Sequence, residues 1–238
     1  MIIRRDGEGL LAIAQPDHAR LAGVFAESWR GGAGGSLVAA SHHHDDGWID
    51  WEKAPTVDDH GRPHDFLTIP MDDRVAVYRR GIDLLATTDR AASLLTSLHF
   101  GRLLAEGLPA LEGDARRTAE GFLAEQATWE AETRRQLGEP EGVEADYRVL
   151  RAVDFLSLVL CMRPLNELDG ASVTTTTLHV EDQRVTLEPY PFDAGELQVT
   201  VAALVLPATT FDDDEAYRLA LAGAPVRELS WALSRPRR

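Results

Sequence analysis

Hydrophobic and polar positions change their period along this chain, and the change separates helical from extended stretches. Met1–Ala14 predicts two short strands around the turn Asp6-Gly7-Glu8-Gly9. A helix follows from Pro16-Asp17, where a proline and an acid occupy the first turn. Leu21, Ala22 and Phe25 follow His18 at +3, +4 and +7, so this histidine lies on the apolar face. After the glycine-rich connection Gly31–Ser36, Leu37–Trp51 predicts a second helix. Leu37, Ala40, His44 and Trp48 share one of its faces, with Asp45 beside them. Glu52–Pro70 has no period and predicts an ordered loop. Asp72–Ala86 and Asp89–Glu106 predict helices, and Leu95 and Leu103 turn His99 inward on the second. Asp114–Leu137 predicts a long charged helix with Phe122, Leu123 and Trp129 inward. Glu144–Arg163 predicts the most apolar helix, interrupted by Asp154 between Leu150 and Leu158.

Beyond Pro164 the period becomes two. Val173–Val180, Arg184–Glu188 and Leu197–Leu206 alternate and carry β-branched residues, which predicts antiparallel strands. His179, between Leu178 and Val180, points to the opposite face from them and so to solvent. Asp212–Ala222 predicts a short helix and Val226–Leu233 a further strand. The expected architecture is mainly α. It is a helical bundle over residues 1–170, with a small antiparallel sheet from the β-rich segment 171–238 and the N-terminal strands, all in one domain over residues 1–238.

Composition narrows the function classes. A 238-residue chain that is 44% hydrophobic can bury a real core. Its net charge of −15 argues against nucleic-acid and anionic-membrane binding, which need clustered positive charge. The longest apolar runs, Phe155–Met162 and Val199–Leu206, fall well short of the ~20 residues of a membrane helix. The N-terminus, MIIRRDGEGLLAIAQ, has charges where a signal peptide needs an apolar run. Cys161 is the only cysteine, which excludes a disulfide within the chain, and its apolar helical setting makes it core rather than nucleophile. A cytoplasmic protein is expected, with a small-molecule substrate, no nucleic-acid or membrane partner, and room for a homo-oligomer.

The candidate chemistry centres on Ser41–Phe66, which holds His42, His43, His44, His60 and His64, five of the eight histidines. Imidazole nitrogens and carboxylate oxygens this close suit a transition metal. Three helices turn polar groups inward: His18, His44-Asp45 and Asp154. Each is costly to bury without a partner. Taken singly, His18 reads first as a core histidine with a backbone partner, and Asp154 equally as an ion pair with Arg151 or another arginine. Taken together they are candidate ligands of a divalent transition metal (iron, manganese or zinc), as one ion or two. His99 is then a ligand of a second ion or a general acid/base. Asp45 would hold the metal and orient a water, and Arg62 or Arg20 would receive an anionic substrate group. The candidate catalytic residues are therefore Asp45, His99 and Arg62. His42 and His43 point off the inward face. His60 and His64 lie in the loop Trp51–Phe66, where they are the residues able to close a metal shell. Trp48, Trp51 and Phe66 would form an apolar wall. The chain has no HExxH, no ExxH pair, no GxSxG elbow and no P-loop.

Five segments carry a resemblance to an uncharacterised bacterial family, domain-of-unknown-function family 3891. They are Gln15–Gly23 (QPDHARLAG), His44–Pro55 (HDDGWIDWEKAP), Gly61–Phe66 (GRPHDF), the LTSLH segment ending at His99, and Asp154–Cys161 (DFLSLVLC). This likeness implies a shared fold and brings no known activity. The order His18 … His44-Asp45 … Asp154 also resembles the HD-domain superfamily of metal-dependent enzymes. That resemblance implies an HD-like helical bundle in which the four residues bind one metal and inserted histidines a second. It implies a metal-dependent hydrolase of a small, phosphorylated substrate. Many HD phosphohydrolases place a lysine soon after the His-Asp pair, but here Asp46-Gly47-Trp48 follow and Lys53 comes later. Two alternatives stand beside hydrolysis: a di-iron HD-type oxygenase, and a non-catalytic binding protein that keeps the fold.

Overall fold

The fold is taken from a computed structural model, which describes residues 1–181 and 184–236. Strands β1 (Ile2–Asp6) and β2 (Gly9–Ile13) form a hairpin that leads into helix α1 (Gln15–Glu27). Then come α2 (Gly35–His43), the one-turn α3 (Trp48–Trp51), α4 (Met71–Ala86), α5 (Arg90–Gly107), α6 (Gly113–Gln136) and α7 (Val143–Met162). The last part holds β3 (Ser172–Val173), β4 (Thr176–Glu181), β5 (Arg184–Glu188), β6 (Glu196–Leu206), α8 (Asp214–Gly223) and β7 (Val226–Ser234).

The seven strands among the described residues form one sheet in the order β1-β2-β6-β7-β5-β4-β3. The pairings are antiparallel except β5 with β7, which is parallel. This corrects the expectation of a mainly α, HD-like bundle with a small antiparallel sheet. With 51% helix and 20% strand around one curled, mixed sheet, the fold is α/β. The strands themselves lie close to where the alternation put them. Their assembly does not follow from local pattern, because β2 meets β6 (Leu11 opposite Val205) across almost the whole chain.

Alternation decides how the sheet packs. Leu11 and Ile13 of β2 face α1 and α7, where they join Phe25, Leu156 and Leu160 in the largest core. Leu10 and Ala12 face the other way and pack with Met1, Leu206 and the buried Tyr217 of α8. The remaining helices form a further layer. Tyr78 of α4 stacks on Phe100 of α5 at 4.0 Å between centroids, and Phe122 of α6 closes the cluster.

One local departure shapes the site. The helix expected over Leu37–Trp51 stops at His43, turns through residues 44–47 and resumes as α3. Gly47 makes the turn fit. A Cβ there would lie 2.2 Å from the Val77 carbonyl oxygen and 2.7 Å from the Gly81 amide nitrogen of α4. The turn therefore packs backbone to backbone against α4, and both His44 and Asp45 are buried.

Candidate metal centre

Five polar side chains from four segments meet where α1, α2, α5 and α7 converge. They are His18 on α1, His44 and Asp45 in the turn after α2, His99 on α5 and Asp154 on α7. All are at most 5% exposed. His18 Nε2 lies 2.8 Å from Asp45 Oδ2 and 3.6 Å from Asp154 Oδ1. His44 Nε2 lies 3.3 Å from Asp154 Oδ1 and 3.5 Å from Asp45 Oδ2. Donors ~2.1 Å from a common tetrahedral ion are themselves ~3.4 Å apart. The four observed separations bracket that value. One donor atom each from His18, His44 and Asp154 lies within 4.8 Å of the others. His99 Nε2 approaches the other oxygen of Asp154, Oδ2, at 3.3 Å.

The surrounding hydrogen bonds fix which imidazole nitrogens face inward. The His44 Nδ1–H donates to the Ser41 carbonyl at 3.1 Å, an acceptor in the last turn of α2. Ser157 spends its hydroxyl proton on the Asp154 carbonyl at 2.8 Å. Its oxygen therefore accepts from His18 Nδ1–H at 2.7 Å. A neutral His18 then aims a lone pair at an ionised Asp45 oxygen only 2.8 Å away. Two acceptors face each other there unless a proton or a cation stands between them. A metal-binding histidine usually donates its outer N–H to a carbonyl, carboxylate or water in this way, which fixes the ring and its tautomer. His44 Nε2 and Asp154 Oδ2 are buried without a hydrogen-bond partner among the described residues.

Charge says the same. Two carboxylates are buried here, and no lysine or arginine among the described residues lines the cavity. Burial pushes the Asp45 carboxyl up, but His44 and His18 outweigh it and hold it below the usual carboxylate range. Burial likewise opposes ionisation of Asp154, and His99 and His44 outweigh it there. Burial pushes His44 down, but Asp45 and Asp154 lift it to about 9. Two buried negative charges thus require two positive ones. Two imidazole protons or one divalent cation supply them.

The cavity at the cluster is about 40 Å³ and is walled by Trp48, Phe66, Tyr78 and Leu103. That is space for a water beside the ligands, since a water's share of liquid volume is ~30 Å³. Of the sequence-predicted groups, His18, His44, Asp45, His99 and Asp154 are brought together, and Trp48 and Phe66 do wall the cavity. Trp51 only packs on Trp48. Arg62 is not brought to the site. Its guanidinium is 65% exposed and held by Asp58 four residues earlier. Arg20 is half-exposed beside Asp17 and Asp46. His42 pairs with Glu27 and His43 with Asp46. His60 is exposed, and His64 bonds Thr56 at 2.8 Å within the loop. His179 is 44% exposed near Asp169. Sequence reasoning missed Ser157, Ser41 and the cavity residues Gln15 and Tyr78. Ser157 alone had a signal, because it stands one helical turn after Asp154.

The fold and the cluster together define an α/β protein with a buried, convergent His/Asp centre. The chain belongs to the family described as protein of unknown function (DUF3891), whose sequence model it matches over residues 1–208. No curated protein and no solved structure matches.

Proposed function

We propose that the protein is a metal-dependent hydrolase of a small substrate, with one divalent transition-metal ion held by His18, His44, Asp45 and Asp154. The observation that carries this reading is the pair of unpartnered or mismatched inward atoms, His44 Nε2 and His18 Nε2, set against two buried carboxylates. A bound ion would supply Lewis-acid polarisation and lower the pKa of a water towards ~7. The chain's own residues do the rest. Asp45 and Asp154 balance the charge. Ser41 and Ser157 hold the two imidazoles in register. His99, on the outer oxygen of Asp154, is the group placed to take or give a proton. The water-sized cavity leaves one open position, as a catalytic metal needs. No arginine among the described residues lines it, so a phosphorylated substrate would bring its charge to the ion itself.

The His99 contact with Asp154 Oδ2 favours a second reading, a di-iron oxygenase in which His99 and Asp154 would help to hold a second ion. The cluster offers a second ion only His99 and one carboxylate oxygen, so the one-metal reading is preferred. The test is a panel of small phosphoesters, esters and amides, assayed with metal-replete protein and with His44→Ala. Metal-dependent turnover that His44→Ala abolishes supports hydrolysis. A metal-replete protein inert on the whole panel overturns it.

A further inference from the structure

A cavity far larger than the one at the metal centre lies elsewhere in the fold. It is a cleft of about 900 Å³ between the outer face of α7, Trp29-Arg30 after α1, the β3–β4 turn and the segment 189–191. Helix α7 separates the two. Asp154 faces the metal cavity, whereas Arg151 and Phe155 line the cleft, and no lining residue is shared. The volume falls in the range of small-molecule sites, ~300–1,000 Å³.

The lining is chemically one-sided. Acids outnumber Lys and Arg by 39 to 24 in the chain, yet among the described residues no carboxylate lines this cleft and three arginines do. Arg30 donates to the Tyr190 carbonyl at 2.7 Å, which fixes its guanidinium at the mouth. Arg151 is tied to Glu106 and lies 5.2 Å over the Phe155 ring. Arg148 is exposed and has no hydrogen bond or ion pair among the described residues. The walls between them are apolar and aromatic: Trp29, Phe155 and Tyr190. At the rim, Thr174 holds a left-handed φ of 53°, a conformation that costs a β-branched residue energy and collects at binding sites.

We propose that this cleft binds a small organic anion, a phosphate ester or carboxylate carrying an apolar ring. Its charge would meet Arg148 and Arg30, and its ring would lie against Trp29 and Phe155. Arginine suits both oxyanions, and a ring against an aromatic wall adds area that a bare anion lacks. This site stands independently of the metal reading.

The test is calorimetric titration of the full chain with 1-naphthyl phosphate, 1-naphthoate, neutral 1-naphthol and inorganic phosphate. One equivalent of at least one naphthyl anion is expected to bind, with naphthol and inorganic phosphate roughly tenfold or more weaker, a difference set by the missing half of the contact. Arg148→Ala, an exposed and unpaired position, should weaken the anion by a similar factor without changing the circular dichroism. Binding should quench fluorescence in the wild type, and the quench should disappear in Trp29→Phe. Treatment with chelator should leave the affinity unchanged. Four results would each overturn the proposal. They are no binding of either anion at millimolar concentration, equal binding of naphthol, an unchanged Arg148→Ala, and loss of binding with chelator, which would put the anion at the metal centre. A dimer in sedimentation that Arg148→Glu dissociates and the anions do not disturb would make the cleft a subunit interface and also overturn it.

Discussion

At the scale of single residues, the account rests on polar side chains where apolar ones belong. His18, His44, His99 and Asp154 were legible in the sequence because each sits at helical spacing among leucines and alanines. Burial at those positions forces partners, and they find them in one another, in Asp45, in the Ser157 hydroxyl and in the Ser41 carbonyl. Arg62 was not legible, because a loop residue has no periodic face and its local acid, Asp58, takes its charge. Removing one member of a buried charged cluster leaves the rest uncompensated. Asp154→Ala should therefore cost about 3–5 kcal/mol of stability in the metal-free protein, measured by urea unfolding. A loss within experimental error would show the cluster to be neutral or hydrated. Cys161 makes a contrasting case. Burial pushes its thiol up to about 12. At pH 8 it should resist alkylation by iodoacetamide in the native state and react once urea unfolds the chain. Rapid native alkylation would contradict the packing given for α7.

At the scale of elements, the helices and strands were mostly readable, and their joins were not. The periods of 3.6 and two placed α4 to α7 and β4 to β7 within a few residues of where they fall. The break between α2 and α3 was hidden, since Leu37, Ala40, His44 and Trp48 keep a helical spacing straight through it. What makes the break is the backbone contact of Gly47 with α4, a tertiary fact. Gly47→Ala should accordingly lower stability by about 1–3 kcal/mol, as overpacking does, and weaken metal binding with it. Gly121 provides the control. It lies exposed in α6 with open space where a Cβ would go. Gly121→Ala should stabilise by up to about 1 kcal/mol, through helix propensity alone. Thermal unfolding of the two variants beside the wild type checks both signs. Equal behaviour would remove the steric argument.

At the scale of the whole molecule, the sequence pointed to a sheet shared by the N-terminal and C-terminal strands, but not to its size, its strand order or its parallel pair. Local alternation reports a strand's faces and says nothing of its neighbours. The pairing of β2 with β6, and the parallel pairing of β5 with β7, turn the expected small antiparallel sheet into the platform for α1 and α7. That platform holds His18 and Asp154 at a fixed distance, and the helical layer brings His44, Asp45 and His99 to them. No helix among the described residues is long and apolar enough to cross a membrane. The central claim is that this convergence binds a metal ion. The most direct measurement is the metal content, by plasma mass spectrometry, of untagged protein purified without chelator, compared with His44→Ala and Asp154→Asn prepared in the same way. The account predicts close to one equivalent of iron, manganese or zinc in the wild type, and its loss in both variants. Wild-type protein that carries no metal and takes none up on titration, or variants that keep the full complement, would contradict it.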